Sequence, residues 1–502
     1  LDVKAWVNGP VYCYDPVAGT YRASDALVIE GKRIVSIDAA DIGAGIETID
    51  LDGRALYPAF ADCHVHLTDT GYYLDERNLS AARSYDDFAA RVRTLVPERY
   101  VLAGNYDESC WVDGRLADAV PLGGPLEESY AMLVRVDSHS CIVNAKTLAF
   151  LDLDPTLTGI ERDPDGHPTG KLFTDANWQA QARFLALLPE ATKRAAERRA
   201  VALAQSQGAV HLHVQLVGFG SRDAYRAEVE ALRAFAGVQM YPKICERDPQ
   251  LAHDLGLPYV GGDVFLDGSI GSGTAAMTHA YADRAGAGAL THDDATVERY
   301  FAEAERLGIS AGVHAIGDRA IEQCLSSWER VLGGTPSPRN RHFIEHFEVA
   351  RPDQIARAVK LGIYLSMQPQ FDAQWGGEGG MYDVRLGRER MRSMNAFASA
   401  KRAGATIVGG DDSPVCPLVP LAGMQAAVAH QTPNERIAIE DALTMYAYDA
   451  ARFGHVEEQT GRLAAGFAAD FVIVRGDPIA KRTFEQTRIV ETWSQGERVY
   501  VA

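Results

Sequence analysis

Two rhythms of apolar positions alternate along most of the chain. Strand-length apolar runs occur at Ala59–His66, Ala209–Val214, Val238–Ile244, Asp263–Asp267, Ser310–His314, His342–His346, Gly362–Met367 and Thr406–Gly409. Between most of them the apolar positions recur at helical spacing, in Ala224–Ala236, Asp294–Leu307, Asp318–Leu332, Pro352–Leu361 and Met391–Ala403. Strands alternating with helices predict a parallel sheet with covered faces. Eight strands in this rhythm predict an α/β fold, a (β/α)8 TIM-like barrel over residues 58–455, with functional groups at the C-terminal ends of its strands. A long stretch at about 72–205, including the amphipathic segment Glu190–Ser206, follows the first strand. It reads as an insertion with several helices, placed to wall or cap the site.

Outside the barrel, residues 1–57 and 456–502 carry short β-type runs, among them Val11–Tyr14, Ala26–Ile29, Phe471–Val474 and Glu497–Val501. Neither end is long enough to bury a core alone, so the two are expected to pair into one small β-sandwich. Hydrophobic residues make up 47% and charged residues 23%, which excludes a largely disordered chain. The net charge of −19 argues against nucleic acid or an anionic membrane as partner, and no apolar run approaches the roughly 20 residues of a membrane span. The opening Leu1-Asp2-Val3-Lys4 has no signal-peptide pattern, and the seven scattered cysteines form no Cys-x-x-Cys pair. A reducing cytoplasm is the compartment that fits, with a small molecule as the partner and a homodimer as the default assembly.

The chemistry collects at strand ends. His64 and His66 flank Val65 at the end of the first run, and strand alternation turns both imidazoles to one face. Such a pair binds a divalent ion if further ligands arrive from other strands. The fifth run ends at His314, the sixth at His342 and His346, and the eighth breaks at Gly409-Gly410 into Asp411-Asp412. A carboxylate there can hold a metal or act as base toward a metal-activated water. Histidine and carboxylate ligands suit Zn²⁺ first, and also Fe²⁺, Mn²⁺ or Co²⁺.

Taken together, several blocks resemble the amidohydrolase superfamily, in its YtcJ-like (amidohydrolase-3) branch. They are His64-Val65-His66, Asp137-Ser138-His139-Ser140, Phe265-Leu266-Asp267-Gly268-Ser269, His314 to Ala320, Arg341 to His346, and Gly410 to Val415. The resemblance implies a metal-dependent hydrolase with His64, His66, His314 and His346 as ligands. It gives Asp412 the role of the strand-eight aspartate, and a one-residue shift would give Asp411. His213 matches a common family histidine that would line the pocket, and His139 matches a family motif outside the barrel strands, where it either contacts substrate or serves as a satisfied polar cap. Asp267 either closes the metal sphere or caps its own turn, while His211 and His342 read as structural. Trp375 and Tyr382 read as a mobile pocket wall.

One departure stands out. Relatives commonly carry a lysine four residues before the Asp-Gly-Ser, which bridges two metals when carboxylated; this chain has Asp263. Its shorter stem is expected to fall short of a bridge, which favours one ion per chain, and Lys243 could substitute only with a different geometry. The expected reaction is hydrolysis of an amide-type C–N bond, with Asp412 moving the proton and His213 or His139 steadying the oxyanion. Deamination, ester cleavage and decarboxylation would use the same site, and a non-catalytic scaffold would have lost these ligands.

Overall fold

The computed structural model describes residues 3–502. Both ends of the chain join one eight-stranded sheet. Val3–Asp15 pairs with Thr20–Glu30, and Phe471–Arg475 lies antiparallel beside Ala55–Pro58, with Arg488–Ser494 and Glu497–Val501 beyond it. Hydrogen bonding runs continuously through this one sheet. Its long first strand shifts register between Val7 and Val11, and residues from both termini, including Trp6, Leu27, Phe471 and Trp493, share one core.

Eight parallel strands carry the central domain, in a TIM-barrel-like arrangement. Phe60–Val65, Ala209–Leu216 and Gln239–Ile244 form one ladder, and Tyr259–Val260, Ser310–Ala315, Phe343–His346, Tyr364–Met367 and Ile407–Gly409 form a second. On one side the ladders meet where the His66 N–H reaches the Ser413 carbonyl and the Asp412 N–H reaches that of His64, both at 2.9 Å. On the other side, the Gly261 N–H reaches the Ile244 carbonyl at 2.9 Å. Helices cover the outside with conventional ends: Asp294–Leu307, for example, starts at Asp293, whose side chain accepts the Thr296 N–H, and stops at left-handed Gly308.

The fourth strand departs from expectation. Asp263–Asp267 is not a strand; the paired residues are Tyr259–Val260, and beyond them only Phe265 bridges to His314. Gly261 and Gly262 break it, both at positive φ (87° and 105°), and a Cβ on Gly262 would lie 2.1 Å from Gln215 Oε1. Only glycine fits both the dihedral and the contact.

The insertion is more than helices. It holds its own five-stranded sheet, ordered Ile160–Arg162, Pro168–Phe173, Ser140–Val143, Tyr130–Arg135, Tyr100–Tyr106. The ends of its two parallel strands, Tyr100–Tyr106 and Tyr130–Arg135, point their following loops at the barrel mouth. All seven cysteines are unpaired, and no helix among the described residues is long and apolar enough to cross a membrane.

Candidate metal centre and substrate cleft

Six side chains, from the ends of five barrel strands or the loops just after them, converge on the barrel mouth. Asp263 sits at their centre. Its Oδ2 lies 3.3 Å from His64 Nε2 and 3.1 Å from His66 Nε2, while its Oδ1 lies 3.7 Å from His314 Nδ1 and 3.8 Å from His346 Nε2. Asp412 Oδ1 closes the first cluster, 3.2 Å from His64 Nε2 and 3.1 Å from His66 Nε2. Three overlapping groups of metal-ligating atoms result: His64–His66–Asp263, His64–His346–Asp412 and Asp263–His314–His346.

Against the expectation that its stem is too short, Asp263 turns one oxygen toward each histidine pair, and it follows directly on the Gly261-Gly262 break. Lys243 is not a substitute, because its Nζ is committed to Glu345 at 2.7 Å and the Cys63 carbonyl at 3.0 Å.

The donor set fits a divalent metal. His64 Nε2, His314 Nδ1, Asp263 Oδ1 and Asp412 Oδ1 are all buried without a hydrogen-bond partner, a cost that four converging groups avoid when they share a cation. The opposite ring nitrogens are already held: His64 Nδ1 by Glu345 Oε2 at 2.8 Å, His346 Nδ1 by Gln368 Oε1 at 2.8 Å, and His314 Nε2 by the Gly268 carbonyl at 3.3 Å. Such outer partners fix tautomer and ring orientation at metal sites. Burial, with His346 adjacent, pushes His314 down to about 4 despite Asp263, so its imidazole is neutral, the ligating form.

The remaining candidates separate cleanly. Asp411 turns away from the mouth: it accepts the Val419 N–H at 2.7 Å and the Tyr446 hydroxyl at 3.3 Å, and burial pushes it up to about 7. Asp412, held at φ 52°, is the carboxylate that enters. Asp267 accepts the backbone N–H groups of Ala276, Ile316 and Gly317 and ties loops together. His211 pairs with Asp470 at 3.2 Å, and His342 with Glu305 at 2.9 Å. His213 is a correction, since it lies outside the cleft. Its ring stacks on Tyr241 at 4.7 Å and Phe453 at 5.0 Å in the barrel floor. The register puts Gln215, two residues further along the same face, nearer the centre, 3.5 Å from Glu345.

A cleft opens beside His314, His346 and Asp412. His139 lines it, delivered by the insertion, its ring centroid 6.2 Å from that of His314 and packed edge-on against Trp178 and Phe265. Trp375 and Tyr382 line it too, on short helices, Pro369–Trp375 and Met381–Leu386. Three contributors escaped the sequence reading. Arg135 and Asp107 come from the insertion's strand ends, and Glu348 follows His346 by two residues. The nearest signal was position: Arg135 lies two residues before the block Asp137–Ser140, and Glu348 two residues after the block ending at His346. Burial pushes Glu348 up to about 7, against the lowering effects of the Tyr382 hydroxyl and His346.

This geometry agrees with the family comparison. The sequence profile of the amidohydrolase family matches residues 47–500. The chain belongs to that family. YtcJ of Bacillus subtilis (strain 168), an amidohydrolase by name, is 28% identical over 478 residues, 86% of each chain. An N-substituted formamide deformylase from Arthrobacter pascens is 24% identical, covering 94% of each chain. An uncharacterized metal-dependent hydrolase from Pyrococcus furiosus superposes with a TM-score of 0.74 at 25% identity, covering 95% of this chain and 100% of that one. These relatives support a metal-dependent hydrolase of the YtcJ-like amidohydrolase branch.

Proposed function

We propose that the chain hydrolyses an amide-type C–N bond of a small molecule, using two divalent ions, Zn²⁺ first among candidates. His64, His66 and Asp412 would hold one ion, His314 and His346 the other, with Asp263 shared. The observation that carries the reading is the Asp263 carboxylate, whose two oxygens face different histidine pairs. When bound, such ions polarise a carbonyl and lower the pKa of water toward neutrality.

The chain's own groups do the rest. Asp412 lines the cleft with Oδ1 turned to His64 and His66, which leaves its other oxygen to take a proton from the attacking water and return it to the leaving nitrogen. His139 faces His314 across the cleft, where a ring N–H can donate to the developing oxyanion. Trp178 and Phe265 hold that ring in place. The name of the Arthrobacter pascens relative, a formamide deformylase, agrees with C–N cleavage.

The test is a panel of N-acyl amines, cyclic amides, esters and amino-heterocycles, run on protein stripped with chelator and then reloaded. Amide turnover that disappears on stripping, returns with Zn²⁺ and falls at least about a thousandfold in Asp412→Asn is expected. Turnover confined to esters or amino-heterocycles, or surviving chelation, would overturn it.

A further inference from the structure

Glu348 is 3% exposed, and one of its oxygens accepts the Tyr382 hydroxyl at 2.7 Å. Among the described residues it makes no other side-chain hydrogen bond and no ion pair. Outside the metal centre, several other buried carboxylates are answered by cations or backbone N–H groups. Glu345 has Lys243, Asp107 and Asp137 have Arg135, and Glu228 has Lys193 and Arg194. Asp62 and Asp267 lack a lysine or arginine but accept two and three backbone N–H groups. Glu348 has neither kind of partner, and it faces the cleft.

The backbone holds it there deliberately. His346 and Phe347 are both in the left-handed region, at φ 72° and 51°. Two such residues in a row cost about 1–3 kcal/mol each and persist only where the surroundings fix them. The Val349 N–H bonds the Ile316 carbonyl and the Asn395 N–H bonds that of Glu348 itself, pinning the turn on both sides.

Around this carboxylate the cleft is aromatic. Phe371, Trp375 and Tyr382 follow one another at centroid separations of 5.2 and 6.3 Å, and Trp375 is anchored by its N–H to Asp107 at 3.0 Å. Among the described residues, the one arginine of the cleft wall is not free to receive an anion, because Arg135 is matched by Asp107, Glu108 and Asp137, each at 2.9 Å. A carboxylate with spare capacity beside aromatic faces is the chemistry that recognises an organic cation.

We infer that Glu348 is a specificity-determining residue that receives a cationic amine group on the substrate, between the metal centre and the Phe371–Trp375–Tyr382 wall. The inference rests on the hydrolase reading and adds the substrate's charge to it. Substrates with an anionic group at that position would meet an unanswered carboxylate and are disfavoured.

The probes are choline and its neutral isostere 3,3-dimethylbutan-1-ol. They share shape and hydroxyl, cannot be hydrolysed, and differ in one permanent charge. Binding to the metal-loaded full chain is read by calorimetry, with metal content and the amide panel measured on the same preparations. Wild type should bind choline at least about tenfold more tightly than the isostere, and Glu348→Gln should bring the ratio within about threefold of unity. Glutamine keeps the shape and can still accept the Tyr382 hydroxyl. Tyr382→Phe, which removes that hydrogen bond and leaves the charge, should keep the preference. Equal affinity for the two probes in wild type, including none detectable for both, overturns the inference, as does a preference that survives Glu348→Gln. Amide turnover without choline preference would refute the cation site and leave the hydrolase reading standing. Choline preference in protein that turns over no amide would do the reverse.

Discussion

Replacing Glu345 by glutamine should damage this protein more than a change of one atom suggests. Glu345 and Lys243 are both fully buried, with Nζ 2.7 Å from Oε1. Without the carboxylate, the ammonium retains the Cys63 carbonyl at 3.0 Å and the rings of Phe343 and Phe453 at 4.7 and 4.5 Å. Breaking one side of a buried pair costs about 3–5 kcal/mol, and the ring contacts, present before and after the substitution, do not offset it. Urea unfolding of chelated protein isolates this term from metal linkage. The double variant Glu345→Gln/Lys243→Met removes the stranded charge, so it should recover to within about 1 kcal/mol of wild type. Zn²⁺ affinity should fall about 10–100-fold in both variants, because His64 Nδ1 loses its carboxylate partner. A single variant within about 1 kcal/mol of wild type, or a double variant no more stable than the single, would refute the reasoning.

Gly262→Ala should cost about 1–3 kcal/mol in strain and displace Asp263, seen as loss of bound metal without global unfolding; full metal content in that variant would contradict the dependence of Asp263 on that glycine. Cys63→Ser should keep its metal, since Cys63 packs in the barrel floor with Tyr259 and Phe453, and the buried hydroxyl should lower stability by about 1–3 kcal/mol. Metal loss in Cys63→Ser would make the cysteine a ligand. His342 accepts the Ala311 N–H through Nδ1 and so donates through Nε2 to Glu305, and this hydrogen bond holds Glu305 down to about 2 from 4.5 against partial burial. A depressed carboxylate stabilises above its unfolded value and loses that contribution as pH falls through its folded value. The melting-temperature gap between wild type and Glu305→Gln should therefore be full above pH 4.5 and close toward about pH 2; a gap that widens on acidification would reverse the sign.

Much of this was legible because barrel strands carry their chemistry at predictable ends. Strand alternation turned His64 and His66 to one face, the family resemblance set His314, His346 and Asp412 beside them, and the structure brings these five side chains together. What was not legible depends on backbone path. Asp263 looked too short because side-chain length was weighed without the Gly261-Gly262 break that precedes it. His213 looked like a pocket residue because its strand points the right way; the register then puts it one level too deep, under Gln215. The insertion's strands went unseen, although they deliver Arg135, Asp107 and His139. Glu348 was invisible because nothing in sequence distinguishes a carboxylate that lacks a partner from one that has one.

Metal stoichiometry is the most direct test of the shared-carboxylate centre. Elemental analysis of the zinc-reconstituted full chain should give about two ions per chain, and Asp263→Ala should retain at most about one. One ion per chain in wild type, undiminished in Asp263→Ala, would contradict it.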